Sequence, residues 1–188
     1  MFREARRPAP CAWMLAFDIE TTGIHPEAVA TCACAYDPDA GIDAIFFFKD
    51  KTHEDFFALL DQADSLCAFN GARFDIPFLH ERFKIPDERV ANWRLKLHDL
   101  YEACYLTFGG AFSLNTLLKA NGMDSKTGTG LDAVNLALEN RWEELGAYCR
   151  QDTLKTHAVS SLPRVRVPVR GYPDLYLEAD GTPVIIPP

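Results

Sequence analysis

Trp13-Met14-Leu15-Ala16-Phe17-Asp18-Ile19-Glu20-Thr21-Thr22-Gly23 is an apolar run interrupted by two acids and closed by a polar turn. Trp13 to Phe17 has the short, wholly apolar character of a buried strand. A spacing of two places Asp18 and Glu20 on one face, about 6.6 Å apart along the strand. A carboxylate pair so placed can flank two hard cations. The glycine and the hydroxyls of Thr21-Thr22-Gly23 give a turn whose backbone N–H groups can approach a ligand closely.

Outward from this stretch, Ala28 to Tyr36 and Ile42 to Phe48 are further β-rich runs, separated by the turn-forming Asp37-Pro38-Asp39-Ala40-Gly41. Thr52 to Asp61 reads as a helix behind a Thr-x-x-Asp start that resembles a capping box. Ser65 to Phe69 is a short apolar strand, Pro77 to Phe83 is helical, and Arg94 to Leu100 is ambiguous. Ser113 to Asn121 repeats leucine at helical spacing and stops at Asn121-Gly122. Leu131 to Glu139 and Trp142 to Ser161 complete a helical second half. Strands first, then helices interleaved with one more strand, predict an α/β domain with a mixed sheet. Residues 1–12 read as an arm and 13–161 as the domain. From Leu162 to Pro188 the prolines exclude a long helix, and Leu175 to Leu177 and Val184 to Ile186 flank an Asp180-Gly181 hairpin signal, predicting a short β appendage packed on the core.

The 188 residues are 48% hydrophobic and 12% aromatic, which excludes a disordered chain and a disulfide-stapled miniprotein. No run approaches the ~18 apolar residues of a membrane span, and no secretory signal is visible, so the expectation is a soluble intracellular protein, cytoplasmic or nuclear. A net charge of −8 argues against a simple basic clamp for nucleic acid, although divalent cations in an acidic cleft would reconcile the two. The six cysteines are scattered, and Cys32-Ala33-Cys34 lacks zinc-site spacing and reads as small buried filler on one strand face.

Two more stretches carry chemistry. Asn70-Gly71-Ala72-Arg73-Phe74-Asp75 joins a buried strand to a helix that has Pro77 in its first turn, so the helix dipole would favour an ionised Asp75. In the last long helix Tyr148 and Asp152, spaced i, i+4, share one face. His98-Asp99 reads as a structural pair or a supplementary acid. Lys126-Thr127-Gly128-Thr129-Gly130 lacks the ending and the preceding strand of a P-loop and reads as a loop.

In order and spacing, Phe17-Asp18-Ile19-Glu20-Thr21-Thr22-Gly23, Asn70-x-x-x-Phe74-Asp75 and Tyr148-x-x-x-Asp152 resemble the three motifs of the DEDD superfamily of 3′–5′ exonucleases. Tyr148 resembles the mark of its DEDDy branch, and the chain is most similar to free-standing relatives of the family B DNA polymerase exonuclease domain. The resemblance covers Trp13 to Ser161 and implies a ribonuclease H-like fold, a five-stranded mixed sheet flanked by helices. It implies Asp18, Glu20, Asp75 and Asp152 as ligands of two Mg²⁺ or Mn²⁺ ions, with Tyr148 orienting the attacking water. Thr21, Thr22 and Asn70 would then contact the terminal nucleotide, with Phe74 packed below the site. The implied reaction is removal of nucleoside monophosphates from the 3′ end of single-stranded DNA. RNA, or a non-catalytic nucleic-acid-binding module on the same fold, is the alternative. A replication or repair partner acting in trans is compatible with this reading.

Overall fold

The computed structural model describes residues 14–126, 128–169, 175–178 and 183–185. The expected arm 1–12 and the Asp180-Gly181 turn lie outside them. Five strands form one sheet: β1 (Met14–Thr21), β2 (Ala30–Asp37), β3 (Ile42–Phe47), β4 (Ser65–Ala68) and β5 (Leu97–Asp99), in the order β3-β2-β1-β4-β5. β1 pairs antiparallel with β2 and parallel with β4, while β5 runs parallel to β4. The expected mixed α/β sheet is the sheet observed, with the acid-bearing strand at its centre.

Strand alternation decides which side chains of β1 meet the core. Leu15, Phe17 and Ile19 point to one face and pack with α1 (His53–Gln62), α2 (Asp75–Phe83) and α3 (Asp87–Leu95). Phe17, Phe56 and Phe57 are fully buried there, each contributing about 1.5–3 kcal/mol of burial. Asp18 and Glu20 point to the other face, beside Cys34 and Cys32 across the β1–β2 register. That face is covered by α6 (Gly130–Leu138) and by the 19-residue α7 (Trp142–Ser160). α7 packs close because Gly146 has no side chain: a Cβ there would stand 2.8 Å from Phe47 Cζ. Cys32 and Cys34 are buried on one strand face, as their spacing indicates.

The Thr52 start does not work as a capping box. Thr52 precedes α1, but its hydroxyl donates to the Phe47 carbonyl at 3.0 Å and caps no helical N–H, because the chain turning out of β3 offers a nearer acceptor. The ambiguous stretch 94–100 resolves into the end of α3, the three-residue β5 and the start of α4 (Leu100–Phe108). After α5 (Leu114–Ala120) and α7, a second sheet of order β6-β7-β8 is built from β6 (Arg164–Arg166), β7 (Leu175–Glu178) and β8 (Pro183–Ile185). Val165, Val167 and Leu177 pack against Leu100, Cys104, Leu117 and Val159, which joins the appendage to the helices. Asn121 ties it further, its amide bridging the backbone N–H and carbonyl of Arg166 at 2.8 and 3.0 Å.

Candidate active site

The carboxyl ends of β1, β4 and β5 lie at one edge of the sheet, and the polar turns that leave them converge there. Asp18 and Glu20 come from β1, which bulges between Glu20 and Thr21. Asp75 opens α2, and its Oδ1 accepts the Ile19 N–H at 3.1 Å, so the second motif is tied to the first through backbone. α7 brings Asp152 and Tyr148 over the same strand face. Asp75 and Asp152 are electrostatic neighbours of both Asp18 and Glu20. The four acids, remote in sequence, thus form one cluster. Ligand atoms of Asp18, Glu20 and Cys149 lie within 4.8 Å of one another.

Glu20, Asp75 and Asp152 are buried, and Asp18 is half-buried. Burial raises the Asp18 carboxyl well above the ordinary range, with Glu20, Asp75 and Asp152 adding repulsion. Burial, then Asp152, pushes Glu20 up to about 8. Burial also lifts Asp75 to about 7, despite the Ile19 N–H that favours its anion. The dipole at the start of α2 favours the anion but is outweighed by burial. Burial raises Asp152 too, opposed by the Lys126 ammonium that pairs with it.

Among the described residues, the Tyr148 hydroxyl and Asp152 Oδ1 are buried and meet no hydrogen-bonding group beyond each other. A buried orphan acceptor costs about 1–3 kcal/mol, and more when charged. A cluster of carboxylates, raised by burial and then by mutual repulsion, fits hard divalent cations bound through oxygen.

The other expected residues are placed as follows. Thr21 is buried, and its hydroxyl donates to the Gly23 carbonyl at 2.8 Å. The Thr22 hydroxyl accepts the Val29 N–H at 3.0 Å. Both hydroxyls shape the turn after β1. Asn70 adopts a left-handed conformation, φ 69°, and its carbonyl accepts the Phe74 N–H at 2.9 Å, closing the turn that delivers Asp75. Phe74 is half-buried against Phe78 and the main core.

Four residues exceed what the sequence reading assigned. Asp99 plays the structural part: its Oδ1 accepts Asn70, Tyr101 and Glu102 N–H, and its Oδ2 accepts Ala72 N–H at 2.7 Å, while its charge also helps to raise Asp75. One carboxylate therefore caps α4 and clamps the 70–72 turn; Asp99-x-x-Glu102 ahead of a helix was the readable signal. Lys126 reaches from its loop to Asp152. Gly128 in the same loop lies so near the Tyr148 ring that a Cβ would be 2.9 Å from its Cε2. The Cys149 thiol, one turn before Thr153, donates to the Asp18 carbonyl at 3.6 Å and packs α7 onto β1.

Residues 15–162 match the family model of the RNase H superfamily. Among solved structures, the chain is similar to the family B DNA polymerase from the hyperthermophilic archaeon Pyrobaculum calidifontis. The TM-score is 0.63, with 19% identity over 80% of this chain and 24% of that one. The likeness is one of fold, and the chain spans about a quarter of the polymerase's length. No curated protein matches the chain. Among the described residues, no helix is long and apolar enough to cross a membrane.

Proposed function

Because the chain belongs to the RNase H superfamily, we propose that it is a 3′–5′ exonuclease of the DEDDy type that hydrolyses terminal phosphodiesters of single-stranded DNA. The observation that carries this reading is the convergence of Asp18, Glu20, Asp75 and Asp152 in one cluster, with the Tyr148 hydroxyl and Asp152 Oδ1 buried beside them and, among the described residues, meeting no partner but each other. These four carboxylates would hold two Mg²⁺ or Mn²⁺ ions. Such ions supply Lewis-acid stabilisation of phosphoryl and leaving-group oxygens and lower the pKa of bound water.

The chain's own residues do the rest. Ile19 N–H fixes the Asp75 carboxylate, and the Asp99 clamp fixes the turn that carries it. Tyr148 stays a phenol through the neutral range, because burial and then the neighbouring acids raise its pKa. It can therefore orient water by hydrogen bonding and cannot serve as the base. Lys126 places a positive charge at Asp152, where it would help to hold a phosphate. Asn70, Thr21 and Thr22 frame the rim, where the terminal nucleotide would lie.

The test is purified protein with Mg²⁺ or Mn²⁺ on 5′-labelled DNA and RNA strands of matched sequence, beside an Asp18→Asn control. A ladder of strands shortened stepwise from the 3′ end, absent in EDTA and in the control, is the expected result. Cleavage of RNA alone moves the substrate assignment to RNA. Cleavage retained by Asp18→Asn overturns the catalytic assignment, and binding without cleavage favours the non-catalytic reading.

A further inference from the structure

Beside the turn that carries Asp75, α4 presents two tyrosines that belong to none of the buried clusters, next to Phe69, which packs on one. Tyr101 and Tyr105 lie one helical turn apart with their rings nearly parallel, centroids 6.3 Å apart and planes 10° from each other. Phe69, the first residue after β4, meets the Tyr101 ring edge-on at 5.7 Å. The Arg73 guanidinium lies over Tyr105 at 4.3 Å and over Tyr101 at 5.6 Å. Tyr105 is 40% exposed and Leu106 beside it 73% exposed, so this surface is aromatic and open. Arg73 also stands 3.9 Å from Glu102, an exposed pair worth little in water.

The placement of this surface is fixed by the site. Arg73 lies inside the turn that ends in Asp75, and the Asp99 carboxylate binds that turn and the first N–H groups of α4 at once. The aromatic surface and the carboxylate cluster therefore leave the same edge of the sheet as one rigid unit. Flat, parallel π-faces with a guanidinium laid on them match unpaired nucleobases, which stack on aromatic rings irrespective of base identity, and Arg adds cation–π and phosphate contacts.

We propose that Phe69, Arg73, Tyr101, Tyr105 and Leu106 form a base-stacking platform for the unpaired nucleotides that follow a strand's end into the carboxylate cluster. This rests on the nuclease reading of that cluster for its ligand class and extends it to a second surface. Sequence-tolerant stacking would select single strands over duplex without a basic clamp, which suits an acidic chain.

The experiment measures the affinity of the whole chain, with Mg²⁺, for a short single DNA strand carrying cleavage-resistant phosphorothioate linkages. It uses in parallel the same strand with a run of abasic positions behind the terminal nucleotide. Tyr105→Ala is expected to weaken binding of the intact strand about five- to a hundredfold, the range of one lost base–aromatic stack. Tyr105→Phe, which keeps the ring, should retain the wild-type affinity. On the abasic strand wild type and Tyr105→Ala should bind alike. Equal affinity of the two proteins for the intact strand overturns the platform. So does an equal loss on both strands, which would point to a protein-docking face or a packing role. Melting temperature verifies that the variant is folded, as expected for an exposed ring. If wild type cleaves unmodified DNA while Tyr105→Ala binds normally, the platform fails and the nuclease reading stands; base-dependent binding without any cleavage gives the reverse.

Discussion

In the metal-free protein, stability should fall as pH rises through neutrality, the reverse of what paired surface carboxylates do. Glu20 and Asp75 have pKa values raised from 4.5 to about 8 and from 3.8 to about 7, chiefly by burial. Between the unfolded and folded values the native state holds more protons than the unfolded chain, so the slope of unfolding free energy against pH is negative. The stabilisation is fully present below about pH 4 and is lost as pH climbs towards 8. Each mismatched carboxyl costs about 1.4 kcal/mol per pH unit. Because the two share neighbours and titrate together, the joint loss from pH 5 to 7 is on the order of 3–5 kcal/mol. At roughly 2–4 °C per kcal/mol for a chain of this length, the melting temperature in EDTA should drop by about 10 °C over that interval. Scanning calorimetry in EDTA at fixed ionic strength measures it. Glu20→Gln, which removes one titrating group and one charge, should raise the melting temperature at pH 7 and make the dependence shallower. Added Mn²⁺ should stabilise wild type more at pH 7.5 than at pH 5.5. A melting temperature that is flat or rising from pH 5 to 7 in EDTA would refute the raised carboxyls and the crowding inferred from them.

Tyr148→Phe keeps the ring against Gly128 and deletes only the hydroxyl; turnover should fall about 10²-fold under conditions where chemistry limits, with Mn²⁺ affinity by titration calorimetry little changed. Gly128→Ala forces a Cβ to 2.9 Å from the same ring, so it should lower turnover while the melting temperature moves by only a few degrees, read by steady-state kinetics and calorimetry side by side. Asp99→Ala strands four backbone N–H groups at the 70–72 turn and the α4 N-terminus, and should cost about 2–4 kcal/mol in urea unfolding. The same variant should weaken Mn²⁺ binding as Asp75 loses its rigid support.

The elements that carry the acids were legible because each motif encodes its own geometry. Asp18 and Glu20 alternate on a strand, Asp75 follows a strand and opens a helix, and Tyr148 and Asp152 are one helical turn apart; none of these relations needs knowledge of the rest of the fold. What was not legible depended on long-range packing. Lys126 meets Asp152 only because the loop before α6 folds back over α7. The Thr52 hydroxyl was claimed by Phe47, a residue on the preceding strand. At Asp75 the helix dipole is local and readable, whereas its burial, which dominates, is set by elements far away in the chain. α3 and the start of α4 were blurred since only Val90 and Trp93 of one, and Leu100 and Cys104 of the other, are buried, too few to mark a helical stripe.

An acidic chain and a polyanionic substrate are compatible here because the formal −8 counts every carboxyl as ionised. In the metal-free state the crowded acids at the end of β1 keep protons into the neutral range, and Lys126 offsets part of what remains on Asp152. With two divalent cations bound, four carboxylates face four positive charges. Under the proposed function the site would present little net charge to an incoming phosphate in either state, and protons and metals would be alternative solutions to one crowding problem. Exchange of one for the other makes metal affinity rise with pH over the interval in which Asp75 and Glu20 titrate. The strand itself then needs attraction from elsewhere, and the exposed π-faces of Tyr101 and Tyr105 with Arg73 laid upon them offer it without adding to the charge balance of the cleft. Under the proposed function a division of labour would follow: the carboxylate edge would act on one phosphodiester, while affinity would be gathered from bases further along the strand. Salt should accordingly weaken strand binding only modestly, because few phosphate contacts release counterions, whereas removal of the bases should weaken it strongly.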